Sequence, residues 1–155
     1  MAIYQDFKEL LALFNLNKVE YVVVGGHALA FYGAVPTTAE LDLYVHPTQA
    51  NAARIMAALR AFGFGEVGLK QPDFEQAGLI IRLGDPSARV ALVTSIDGVS
   101  WEQAAAGKCA GECCGEPVPF LGRAELIANK KAAGRPQDLV DAERLEGPPP
   151  DKTAP

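Results

Sequence analysis

The sequence predicts an α/β domain of the α+β kind, a mixed sheet flanked by helices and finished by C-terminal helices. Three observations carry that expectation. Apolar β-branched runs alternate with helical periodicity in the first half of the chain. Paired apolar runs separated by short turns follow, and they read as hairpins. The final patterned segment is helical again. At 155 residues, with 49% apolar and 21% charged residues, the chain can bury a sizeable core. Residues 1–146 are expected to form one domain, and residues 147–155 (GPPPDKTAP) a disordered proline-rich tail.

Tyr4 to about Asn17 reads as an amphipathic helix, because Phe7, Leu10, Leu11 and Phe14 recur at i, i+3, i+4 and i+7. Glu20–Val24 is β-branched and reads as a strand. Gly25–Gly26 allows a tight turn into a short helix, His27–Tyr32, that ends near Gly33. Pro36 marks a loop. Leu41–Val45 is the second strand, and Thr48 caps a helix from Gln49 to Phe62 that Gly63 stops. Ala52, Ile55, Met56, Leu59 and Phe62 form its apolar face.

Leu79–Leu83 and Arg89–Thr94 form an expected hairpin across Gly84–Ala88. Ser100 with Gln103 makes a capping box for a short helix through Ala106. Lys108–Cys114 and Glu116–Phe120 read as two short strands turning at Gly115. Glu125–Ala133 is helical, Gly134–Arg135–Pro136 interrupts it, and Gln137–Glu146 is the last helix, with Leu139, Val140 and Leu145 partly buried.

Composition limits the function. The net charge of −5 and pI near 5.0 argue against bulk binding of nucleic acid, which needs a basic face. No apolar run approaches the ~20 residues of a membrane helix. The start MAIYQDFKEL lacks the features of a secretory signal, so the expected location is the cytoplasm. Cys109, Cys113 and Cys114 are too few and too close for a disulfide framework. They read as strand residues in a reducing compartment rather than zinc ligands.

The chemistry-bearing stretch is Tyr21–Val45. A strand that ends in Gly25–Gly26 and opens a helix presents bare backbone amides, the kind of group that holds phosphate. Glu40 and Asp42, two residues apart on the next strand, share one face, while Leu41 and Leu43 point to the core. Two adjacent carboxylates beyond such a turn can hold Mg²⁺ against a triphosphate. The bland reading of each piece is a turn glycine pair and an exposed strand edge.

In order and spacing, VVGGHALAFYG followed by TTAELDLYV resembles the signature of the nucleotidyltransferase superfamily, in the small bacterial branch of AbiEii-like toxins and minimal nucleotidyltransferases. The resemblance extends through NAARIMAALRAFGF, RVALVTSIDGVSWEQA and VPFLGRAELIANKKAAGRPQDLVDAERL, covering most of Tyr21 to Leu145. It implies that Gly25 and Gly26 hold the phosphates of a nucleoside triphosphate, with Glu40 and Asp42 as catalytic carboxylates that bind Mg²⁺. It implies also that Lys130 faces the nucleotide. The implied reaction transfers a nucleotide to a hydroxyl on a protein, an RNA or a small molecule and releases pyrophosphate.

Three positions depart from the family pattern. Glu40 stands where the first aspartate is expected, Ala91 where the third carboxylate is expected, and Pro36 where an arginine is common. Alanine can neither ligate a metal nor take a proton. The substitutions fall on polar functional positions and leave the apolar frame intact, the pattern of a fold kept while its activity is lost or altered. Asp85 and Asp97 are the nearest alternative carboxylates, and neither is well placed by sequence. His27 is expected to pack locally. Asp138 and Asp141 share a helix face, where ion pairs with Arg135 or Arg144 would account for them. The expected function is therefore Mg²⁺-dependent nucleotidyl transfer with an impaired site. The alternative is a catalytically degenerate protein that binds a nucleotide or a protein partner, in a toxin–antitoxin or phage-defence system.

Overall fold

The structure is a computed structural model that describes residues 2–34, 40–64, 68–85 and 88–147. The loop expected around Pro36, the centre of the turn between Gly84 and Ala88, and the tail from residue 148 lie outside the described residues.

Six strands form one mixed sheet in the order β3-β4-β2-β1-β6-β5. The strands are β1 (Tyr21–Val24), β2 (Leu41–Val45), β3 (Ile80–Leu83), β4 (Val90–Val93), β5 (Cys109–Cys113) and β6 (Glu116–Phe120). The pairs β1·β2, β3·β4 and β5·β6 are antiparallel, whereas β2·β4 and β1·β6 are parallel. The helices are α1 (Ala2–Leu16), α2 (Gly25–Phe31), α3 (Gln49–Phe62), α4 (Trp101–Gly107), α5 (Arg123–Ala133) and α6 (Pro136–Glu146). The expected mixed sheet with flanking and C-terminal helices is the observed architecture. Among the described residues no helix is long and apolar enough to cross a membrane.

The local reasons are those of the sequence, with adjustments. Leu10, Leu11 and Phe14 on α1 are almost wholly buried, and the Phe14 ring meets Tyr21 of β1 edge-on at 5.6 Å. α3 begins where Thr48 accepts a hydrogen bond from the Asn51 amide at 3.2 Å, and it ends at Gly63 with φ 113°. The capping box of α4 is present in both directions. Every residue of β1 is buried, as suits an interior strand.

Two expectations need correction, and one element is additional. α2 starts at Gly25 itself, because the positive φ of that glycine completes the turn in one residue. On α6, Leu139 and Val140 are exposed, and the buried face is Asp138, Asp141, Ala142 and Leu145. A short 3₁₀ turn, Gln71–Phe74, was not foreseen. It buries Phe74 completely and packs against α3.

Asn51 is the polar pivot of the core. Fully buried, it accepts from the Glu20 amide at 2.7 Å and donates to the carbonyls of Glu20 and His46 at 2.9 and 3.0 Å. One side chain thus ties the start of α3 to the entry of β1 and the exit of β2. That bond set fixes the two strands that carry the site.

Candidate functional site

β1 ends at Val24, opposite Asp42 of β2. The chain then turns at Gly25, with φ +66°, directly beneath the Asp42 side chain. A Cβ at residue 25 would overlap Asp42 Oδ2. Glycine is required here twice over, for the left-handed backbone and for the close approach.

The sheet register extends this contact into a row. Asp42 pairs with Ala91 of β4, and Ala91 pairs with Arg82 of β3. Partners across a ladder point to the same face, so Val24, Asp42, Ala91 and Arg82 stand side by side. Leu41 and Leu43, on the alternate positions, are fully buried in the core. Glu40 precedes β2 and shares the Asp42 face, as the alternation predicts, and the two carboxyl groups are hydrogen-bonded to each other. Arg82 reaches across β4 to Glu40, with Nε 3.4 Å from Oε2.

Asp42 is the most perturbed carboxyl of the site. Its pKa is pushed up to about 8, first by burial, then by the hydrogen bond and the negative charge of Glu40, while Arg82 and Lys130 oppose the rise. Its Oδ1 is buried without a hydrogen-bond partner among the described residues. Such an oxygen is costly in a finished core and is explained at a site that receives a ligand.

The opposite wall comes from α5 and α6, which pack on each other. Lys130 of α5 lies between two carboxylates of α6, 3.4 Å from Asp138 and 3.6 Å from Asp141. Only 13% of the Lys130 side chain is exposed. Arg135 also holds Asp138, with Nε at 2.7 Å, while most of the Arg135 side chain is in solvent. The Arg135 hydrogen bonds, despite burial and with help from the Lys130 charge, keep Asp138 below the usual carboxylate range. Asp141 takes a further hydrogen bond from Gln137 at 2.8 Å.

The two walls enclose a cleft of about 550 Å³. Gly25, Gly26, Glu40, Asp42, Ala91 and Lys130 all line it. Its volume lies within the range of small-ligand sites, on the order of 300–1,000 Å³. These six positions, singled out by sequence, therefore face one space, while Pro36 lies outside the described residues.

Other candidates do not. His27 follows the glycine pair but packs away from the cleft, edge-on to Phe7 at 6.0 Å and 3.7 Å from the Cys113 sulfur. Burial lowers its pKa. Asp97 contributes its backbone carbonyl to Asn129, and Asp85 borders a different hollow beside Phe7 and Leu10. The three cysteines are free, and Cys109 and Cys113 lie on β5 as expected.

Sequence reasoning missed Arg82 and undervalued Asp138 and Asp141. Arg82 carries no motif, and only the register of β3 on β4 brings it to the site. The two aspartates had a signal: they occupy the same helix face as Leu145, and that face is the buried one. Arg144 was weighed as their partner, but the bonds described come from Arg135, Lys130 and Gln137.

These donors do not fit the three-carboxylate Mg²⁺ centre that the resemblance implies. Ala91 offers no oxygen, Glu40 is engaged by Arg82, and Asp42 and Glu40 hold each other. The buried unpartnered oxygen of the set is Asp42 Oδ1. Comparison of the chain with protein-family models and with curated proteins finds no match.

Proposed function

We propose that the cleft binds a nucleoside triphosphate in a protein of nucleotidyltransferase type whose conventional transfer activity is impaired. One observation carries the reading. Gly25, Gly26, Glu40, Asp42, Ala91 and Lys130 were singled out from the sequence alone, and they line a single cleft although they come from α2, β2 and the residue before it, β4 and α5. Lys130 and Arg135 offer cationic groups on one wall, and Arg82 offers a third on the other. A phosphate chain entering the cleft would compete for Lys130 with Asp138 and Asp141. The absence of a carboxylate at Ala91 supports impaired transfer, because metal and positioning carry most of the rate in such chemistry.

The second reading is active transfer to a hydroxyl on a protein, an RNA or a small molecule, with Mg²⁺ on Glu40 and Asp42. Asp42 Oδ1, buried and unpartnered, favours it. A role beside a protein partner in a toxin–antitoxin or phage-defence system rests on the resemblance alone.

The test incubates the protein with each labelled ribonucleoside triphosphate and Mg²⁺ or Mn²⁺, scoring both retention on the protein and transfer to itself, to tRNA or to co-purified proteins. Retention without transfer is the expected result. Sustained transfer that disappears in Asp42→Ala would establish the second reading instead.

A further inference from the structure

We propose that Arg82 supplies the positive charge that faces the phosphates in this cleft, so that the protein binds a nucleoside triphosphate without a divalent cation; the inference rests on the nucleotide reading above. Asp42, Ala91 and Arg82 form a row across β2, β4 and β3. Neighbouring strands lie about 4.8 Å apart, so Arg82 must span the whole of β4 to touch Glu40. It does so past Ala91, a residue too small to obstruct it, and the Nε–Oε2 contact of 3.4 Å closes the bridge.

Both Ala91 and Glu40 suit this bridge. Alanine at residue 91 leaves the lane open for an arginine. Glutamate at residue 40, a methylene longer than aspartate, extends its carboxylate toward that arginine. The ion pair places a fixed cation among the groups that would otherwise surround a metal, and it engages one of the two carboxylates proposed to hold that metal. About half of the Arg82 side chain remains exposed, so the guanidinium borders the open cleft rather than being sealed in the fold. A guanidinium is permanently charged and matches the oxygen geometry of phosphate, which makes it the natural replacement for a metal that only neutralises charge. Glu40 is on this account a positioning residue that aims Arg82.

Isothermal titration with ATP, CTP, GTP and UTP, each in EDTA and in Mg²⁺, tests the proposal on wild type, Arg82→Gln and Arg82→Lys. Thermal melts of the variants check that each is folded. At least one triphosphate is expected to bind wild type in EDTA within about threefold of its Mg²⁺ affinity. Arg82→Gln should weaken binding in EDTA about tenfold or more, with Arg82→Lys between, since lysine keeps the charge but not the fork. Binding that requires Mg²⁺, or that is unchanged in Arg82→Gln, would overturn the inference and leave the nucleotide reading standing. No binding of any triphosphate in either condition would overturn the nucleotide reading and this inference with it.

Discussion

The Cα of Gly25 lies so close to the Asp42 carboxylate that no side chain fits between them. Gly25→Ala therefore meets two obstacles, a left-handed backbone at φ +66° and overlap with Oδ2. The left-handed conformation alone costs an alanine about 1–2 kcal/mol. Urea unfolding should show a loss of about 2 kcal/mol or more for Gly25→Ala, and a smaller loss for the same change made in an Asp42→Ala background. Equal losses in both backgrounds would mean that the contact with Asp42 carries none of the cost.

Asp42 ties stability to pH. Its pKa in the fold is about 8, against 3.8 for the unperturbed group. The folded protein thus holds a proton that the unfolded chain releases, so ν_U is below ν_N between these values and stability falls as pH rises. The contribution is fully present below about pH 4 and lost as pH rises through about 8. Asp42→Asn keeps a neutral polar group and removes this dependence. The variant should be more stable than wild type at pH 8 by on the order of 2 kcal/mol, with the gap shrinking toward pH 4. Urea titrations at a series of pH values read it directly.

Lys130 and Arg135 both pair with Asp138, but their surroundings differ. The Lys130 side chain is 13% exposed and that of Arg135 is 77% exposed. Lys130→Ala leaves Asp138 and Asp141 short of a counter-charge in a buried setting and should cost about 3 kcal/mol. Arg135→Ala removes a side chain that is itself largely in solvent and leaves Lys130 on the buried Asp138 carboxylate, so it should cost about 1 kcal/mol. Chemical denaturation of the two variants gives the ranking, and a larger loss for Arg135→Ala would contradict it.

Asn51→Ala should destabilise the protein by about 2–3 kcal/mol, because it orphans the Glu20 amide and the carbonyls of Glu20 and His46. Hydrogen exchange at the Glu20 amide should accelerate well beyond any global effect. An unchanged rate there would place its protection elsewhere.

Much of this arrangement was legible in the sequence because it rests on short-range rules. Alternation placed Glu40 and Asp42 on one face and Leu41 and Leu43 on the other. The Gly25–Gly26 pair marked a turn that requires a positive φ, and Thr48 and Ser100 announced their helices. What escaped depends on register and on long-range packing. Arg82 reaches the site only because β3 pairs with β4 at Ala91. Asp138 and Asp141 were accounted for by ion pairs with Arg135 or Arg144, and their burial had little signal because carboxylates are rarely buried, yet α6 turns that face inward and leaves Leu139 and Val140 outside. Phe74 sits in a segment without periodicity, so its complete burial had no local signal.

The most direct test of the central claim, that this cleft is a nucleotide site, is a ¹H–¹⁵N correlation titration of the 16.4 kDa chain with each nucleoside triphosphate. The account predicts saturable shifts clustered at Gly25, Gly26, Asp42, Ala91 and Lys130 with at least one triphosphate. Spectra unchanged at millimolar nucleotide, or shifts confined to residues outside the cleft, would contradict it.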